Sequence, residues 1–168
     1  MQKTIQEEAF PKIEVRTSGI HGTGVYAAEA IQKGRRIIEY AGEKISTVEG
    51  TRREQATPGH TFIFILDDKW DVDGGVGGND SRFINHSCTP NAEIEYADGK
   101  VWIVALRDIA AGEELGYDYA FDVEEPPAPC KCGTEECRGF INEYDNEQQA
   151  REKVSEFQHI ARRGTSSS

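Results

Sequence analysis

The stretch "RFINHSCTPN", Arg82 to Asn91, reads as neither a good helix nor a good strand. It gathers an asparagine, a histidine, a serine and a cysteine, then breaks at Cys88-Thr89-Pro90, where the proline bars a helical continuation. The chain has four cysteines, and the other three lie together much further on, in "CKCGTEEC" from Cys130 through Cys132 to Cys137. Zinc takes a tetrahedron of soft ligands at about 2.3 Å, which short loops satisfy by turning several sulfurs inward. Three close-set thiols leave one position, and Cys88 is the cysteine able to fill it. Two disulfides, or reactive free thiols, are the other readings of the same residues. The tight spacing and the missing export signal favour zinc. Closed by four cysteines, such a site is structural. It would clasp the Arg82–Asn91 loop to the later knuckle.

The totals bound the partners. At 168 residues the chain fits one domain with an ordinary core. No apolar run approaches the ~20 residues of a membrane span, and "MQKTIQEEAFPKIEV" has no apolar signal segment. The expectation is a soluble protein with no membrane role. A net charge of −11 argues against direct binding of nucleic acid, which needs a basic face. It is compatible with a basic protein or peptide partner. Acids gather at Glu113, Glu114, Asp118, Asp122, Glu124, Glu125, Glu135 and Glu136, against Lys131 and Arg138.

Along the chain, "KIEVRTS", "GVYAAEA", "RRIIEYAGE", "TFIFILDD", "KWDVDGG", "AEIEYADGK" and "VWIVALRD" read as strands separated by turn signals. Asp98-Gly99 suits a tight hairpin turn. Ser46-Thr47-Val48-Glu49 has the form of a capping box opening a short helix through "EGTRREQ". Without β-α-β alternation, an irregular, mostly β fold is expected rather than a doubly wound parallel sheet. "DVDGGVGGND", Asp71 to Asp80, hints at a calcium loop. Gly75 and Val76 stand where a ligand and the obligatory glycine belong, so an EF-hand is excluded and a flexible loop is expected. The proline-rich "EEPPAPC" marks a boundary. The expected organisation is a main body over residues 1–122, a cysteine knuckle over 123–142, and a helix with frayed tail over 143–168. Ala150, Val154, Phe157 and Ala161 carry the helical spacing.

"RFINHSCTPN", "AAGEELGYDYAF" and "CKCGTEECRGFI" in this order, with "GIHGTGVYAAEAIQKGRRIIEYAGE" upstream, resemble the SET-domain protein lysine methyltransferases that carry a post-SET zinc motif. The resemblance spans about Ile13 to Asn142. The cysteine-dense pre-SET region of the heterochromatin-type enzymes is not found, and the brevity is similar to compact bacterial and viral SET proteins. The resemblance implies a β-clip fold of small curved sheets, with the "GYDY" segment crossing under the "NHSC" loop in a knot-like manner. It also implies S-adenosylmethionine as methyl donor, a structural zinc ion on Cys88, Cys130, Cys132 and Cys137, and a lysine-rich protein, most commonly a histone tail, as substrate.

The resemblance likewise assigns residues. Tyr119 matches the catalytic tyrosine beside the donor's sulfonium, and Tyr40 the tyrosine lining the lysine channel. Tyr117 stands at the Phe/Tyr switch, where a tyrosine implies mainly monomethylation. Gly22-Thr23-Gly24 matches the turn that meets the donor's methionine part, with His21 contributing backbone. Asn85 holds the donor's amino-acid end, backbone groups of His86 meet its adenine, and Phe62 and Lys131 lie at its edges. Singly, each tyrosine is more often β-core packing and each glycine more often a plain turn. A catalytically silent SET module binding a basic peptide or a partner is the alternative, distinguished by whether methyl transfer occurs. Target lysine, compartment (nuclear, bacterial or host-delivered) and oligomeric state are not encoded in these motifs.

Overall fold

Short alternating segments broken by turn residues build small sheets rather than one large one. The computed structural model describes residues 9–20, 22–57 and 62–164, and among these it has ten strands and two α-helices. The chain divides into two compact units, Met1–Asn85 with Asn91–Leu115, and His86–Pro90 with Gly116–Ser168.

The first unit carries three antiparallel sheets. β1 (Ile13–Thr17) pairs with β2 (Thr23–Ala27). β9 (Lys100–Ala105) lies between β3 (Arg36–Glu39) and β8 (Ala92–Ala97), and β6 (Trp70–Asp73) between β4 (Glu43–Ser46) and β5 (Ile63–Ile65). Val101 to Ala105 are all buried, as expected for a central strand covered on both faces. Each such Val or Ile contributes about 1.5–3 kcal/mol of burial. The β8–β9 hairpin turns at Asp98 and Gly99, whose φ of 55° and 70° are both left-handed, matching the twist of the strands they join.

α1 (Thr47–Ala56) starts at Ser46, whose hydroxyl accepts the Glu49 N–H at 3.2 Å. The reciprocal half of the expected capping box is replaced. Glu49 instead accepts from Arg52 and Arg53 at 2.7–2.8 Å, which holds its carboxyl down at about 2. Guanidiniums one turn along offer charge-assisted bonds that a neutral N–H does not match.

Asp71, Val72 and Asp73 are buried in β6, paired with β4 and β5, as the strand reading of "KWDVDGG" expects. The flexible loop expected across the glycines after them is not what forms. These glycines permit close packing rather than slack. A Cβ on Gly74 would lie 2.9 Å from the Tyr40 hydroxyl, and one on Gly78 would collide with the Gly74 carbonyl.

In the second unit, β10 (Gly116–Tyr117) runs beside His86 of β7 (Asn85–His86), and the Ser87 N–H donates to the Tyr117 carbonyl at 3.0 Å. Asn142, fully buried, organises the proline-rich segment. Its amide donates to the Asp122 carbonyl at 2.9 Å, and its oxygen accepts the Ala128 N–H at 2.8 Å. α2 (Glu147–Gly164) confirms the helical spacing, buries Ala150, and ties back through Lys153 to Glu124 at 2.7 Å. α2 runs to Gly164, and 165–168, where the frayed tail is expected, lie outside the described residues. Among the described residues, no helix is long and apolar enough to cross a membrane.

Candidate functional site

Each unit gathers its own share of the residues singled out above. In the first, Ser18 donates its N–H to the Gly22 carbonyl at 2.9 Å, closing the turn between β1 and β2. Gly22 has φ 48°, a left-handed conformation that glycine adopts without strain. Thr23 is exposed and Gly24 buried. His21 lies outside the described residues.

Asn85 joins this turn. Its Nδ2 donates to the Thr23 carbonyl at 3.0 Å and to Glu114 Oε1 at 2.9 Å. Glu114 is the hub: Oε1 also accepts from the Ser18 hydroxyl at 2.8 Å, and Oε2 accepts from the Tyr26 hydroxyl at 2.9 Å. The hydrogen bond to this carboxylate, with the nearby negative charge, raises the Tyr26 pKa. A Cβ on Gly24 would collide with Glu114 Oε1, so the glycine there clears space for the hub. Sequence reasoning counted Glu114 only as one acid in an acidic run. Its partners lie far away in sequence, and no local spacing announces them.

Tyr40 follows β3 and is 5 % exposed. Its hydroxyl donates to the Phe62 carbonyl at 2.7 Å, and its ring tilts against Phe64 at 5.1 Å. The same Phe62 carbonyl accepts the Gly74 N–H at 3.0 Å, while the Phe62 ring is 39 % exposed. Asp73 fixes the turn that carries Gly74. It accepts the Gly75 N–H at 2.8 Å and Arg53 Nη1 at 2.6 Å.

The second unit assembles Tyr117, Tyr119 and His86. The tyrosine rings are 4.9 Å apart, Tyr119 lies 5.5 Å from the His86 ring, and Phe121 continues the row at 5.9 Å. Tyr117 is 6 % exposed. Burial pushes the Tyr119 phenol up to about 12, further above neutral pH than an ordinary tyrosine. The His86 pKa is lowered by burial, which outweighs the opposing pull of Asp118. Burial also works to raise Asp118, but Arg138 overrides it, donating to both carboxylate oxygens at 2.5 and 2.7 Å and holding the group below the usual range.

Beside His86, the four cysteine sulfurs all lie within 4.8 Å of one another, and Cys88 and Cys130 are 3.6 Å apart. Tetrahedral thiolate ligation at about 2.3 Å puts sulfurs about 3.8 Å apart, so the four are close enough to bind a metal ion. The thiols are free, not disulfide-bonded. The Cys132 N–H donates to Cys130 at 3.4 Å, and Cys132 lies 3.3 Å from the Thr134 hydroxyl. Burial works against it, yet the Thr134 hydroxyl and the backbone N–H groups of Cys88 and Thr134 bring Cys132 down to about 6. Such donors are what a metal-bound thiolate requires. Lys131, between two of the ligand positions, is exposed.

The SET domain family matches residues 22–120, more than half of the chain. The chain belongs to that family. The match takes in Gly22, Gly24, Tyr40, Asn85, His86, Cys88, Tyr117 and Tyr119, and ends before the three clustered cysteines. Over 147 residues the chain is 40% identical to Histone-lysine N-methyltransferase trithorax of Drosophila virilis, covering 83% of this chain and 4% of that protein. Against the H3 lysine-4 specific Histone-lysine N-methyltransferase of Neurospora crassa, identity is 42% over 141 residues, 77% of this chain and 11% of that protein. Among solved structures, ctPRC2 in an autoinhibited conformation bound to S-adenosylmethionine matches with a TM-score of 0.59 and 36% identity, covering 66% of this chain and 15% of that chain. The SET chain described here thus spans a small fraction of the curated relatives it matches.

Proposed function

We propose that this SET domain transfers a methyl group from S-adenosylmethionine to the side-chain amine of a lysine in a basic protein, a histone tail being the substrate its relatives' names favour, and that it stops mainly at one methyl. The observation that carries the reading is the aromatic row of Tyr117, Tyr119 and His86, lying within the SET match. The donor supplies an electrophilic methyl on a sulfonium; the lysine nitrogen lone pair takes it, and the C–S electron pair returns to sulfur. The amine must first lose its proton to water, because a free lysine with pKa near ~10.4 is mostly protonated at neutral pH.

The chain's own residues then have defined tasks. The Tyr119 hydroxyl orients the reacting groups beside the sulfonium. Tyr40, held by the Phe62 carbonyl, lines the lysine channel with its ring. Asn85 has donated both amide protons within the protein, so its side-chain oxygen is the atom offered to the donor's ammonium. Gly22, Thr23 and Gly24 present backbone to the donor's methionine part, His86 presents backbone to its adenine, and Phe62 and Lys131 border it. In the second unit, Cys88, Cys130, Cys132 and Cys137 would hold zinc, whose task is to fix their loops. Acids at Asp122, Glu124, Glu125, Glu135 and Glu136 favour a lysine- and arginine-rich partner.

The test is transfer of labelled methyl from S-adenosylmethionine to a mixture of core histones and ribosomal proteins. Label is expected on a histone lysine, and Tyr119→Phe should lower it about a hundredfold or more, the usual effect of losing one preorganised polar contact at a reacting centre. Donor binding without label on any protein would overturn the reading in favour of a silent module.

A further inference from the structure

We infer that the His86 ring is a positioning residue that couples the cysteine cluster to Tyr119, donating through Nε2–H to the Cys88 sulfur while Nδ1 accepts the Tyr119 backbone amide. The inference rests on the metal and methyl-transfer readings above and adds a task for the imidazole itself.

The hydrogen bonds determine the tautomer. The Tyr119 N–H points at Nδ1 over 3.2 Å, and a backbone amide can only donate, so Nδ1 must carry its lone pair. A neutral imidazole then keeps its one proton on Nε2. That nitrogen lies 3.4 Å from Cys88 Sγ, a normal separation for an N–H donor to sulfur. The ring's side chain is 5 % exposed, so water is a poor substitute for either partner. Asp118 Oδ1 is 3.5 Å from Nδ1 and would compete if Nδ1 held the proton. Its oxygens are already engaged by Arg138 at 2.5 and 2.7 Å and by the Ala120 N–H at 2.9 Å. A proton on Nδ1 would also face the Tyr119 N–H that points at it.

The consequence is a short, stiff path. Cys132 lies beside the Thr134 hydroxyl and takes backbone N–H groups from Cys88 and Thr134. Cys88 takes the Arg138 N–H and also meets the His86 ring, whose opposite edge holds the backbone of Tyr119. Moving the Cys88 sulfur moves the imidazole, and moving the imidazole shifts the tyrosine beside it. Outer-shell donors of this kind both raise metal affinity and fix ligand orientation.

The test uses the full chain loaded with cadmium-113 and labelled with nitrogen-15. The expected spectrum shows His86 protonated on Nε2 and bare on Nδ1, with scalar coupling from cadmium across the hydrogen bond to the Nε2 proton. An Nδ1-protonated ring, or no such coupling, overturns the inference without reference to activity. Variants separate the two ends, because a glutamine amide reaches the place of Nε2 and an asparagine oxygen the place of Nδ1. With zinc bound, His86→Phe and His86→Asn should release metal to a chelator about 10- to 100-fold faster, with His86→Gln close to wild type. His86→Phe and His86→Gln should lower kcat, and His86→Asn should restore part of it. Equal release rates in all three variants would also overturn the inference. If the wild type transferred no methyl to any substrate, the methyl-transfer reading would fail, while the tautomer and release rates would still decide this one.

Discussion

In the first unit three side chains, Ser18, Tyr26 and Asn85, converge on the carboxylate of Glu114; in the second, four sulfurs converge within 4.8 Å of one another. The surroundings differ as much as the chemistry. Glu114 sits on a scaffold of three sheets whose buried residues include Val25, Ile31, Ile37, Ile84, Val101, Ile103 and Leu115. Among the described residues of the second unit, the buried apolar ones are Tyr117, Cys132 and Ala150. A region with so little apolar burial needs other support, and small folds recruit metal for that purpose. On the proposed reading, polar contacts arrange the scaffold of the first unit, whereas metal on the four cysteines holds the second together.

Removing metal is the strongest way to break this contrast. Structural zinc contributes about 10–16 kcal/mol of apparent binding free energy in small zinc modules at neutral pH. Chelation should therefore abolish methyl transfer and speed hydrogen exchange at Ala128, Cys130 and Ile141, while Val101 to Ala105 stay protected. Exchange that rose equally in β9 would show that the two units unfold together and that the contrast is false.

Asn142 probes the second unit without touching sulfur. Asn142→Ala deletes the fully buried amide that spans Asp122 and Ala128 and leaves the half-buried Ala128 N–H without that acceptor. An unsatisfied buried group costs about 1–3 kcal/mol. Thermal melts of the metal-loaded protein should show that loss, together with faster metal release. A melt unchanged from wild type would mean that the metal alone organises the linker.

Glu114→Gln is the matching probe of the first unit. It keeps the shape but replaces one acceptor oxygen with a donor, in a place where three donors already converge. Calorimetric titration with S-adenosylmethionine should show affinity weakened about tenfold, equivalent to ~1.4 kcal/mol. Metal release should not change. A variant that lost metal but bound donor normally would reverse the assignment of the two regions.

What could be read from the sequence follows the range of the forces. The β8–β9 hairpin, α2 and the cysteine knuckle depend on residues within a turn or two of each other, and all three were legible. Ser46 was legible as a cap, but the diversion of Glu49 to Arg52 and Arg53 was not, because two local solutions competed and charge decided between them. Glu114 and Asn142 were not legible. Their partners are mostly backbone atoms or residues many positions away, which leave no periodic trace. The glycines after Asp73 misled for the opposite reason. Composition suggested a loose loop, whereas their lack of Cβ lets Gly74 approach Tyr40. The tyrosines were assigned by resemblance, since spacing alone cannot tell a site tyrosine from a core one.

Tyr117→Phe is the smallest perturbation and tests function apart from stability. The substitution removes one hydroxyl from a ring that keeps its packing at 4.9 Å from Tyr119. A tyrosine at this position is proposed to limit the product by holding a water where a second methyl would have to fit. The phenylalanine leaves that space less polar and wider by an oxygen atom. Mass spectrometry of the modified peptide should therefore shift from mainly monomethyl toward dimethyl and trimethyl lysine, with metal content unchanged and the melting temperature little altered. An unchanged product ratio would remove Tyr117 from control of methylation state and leave it as a packing partner of Tyr119. A shift accompanied by metal loss would mean that the hydroxyl belongs to the support of the cysteine cluster.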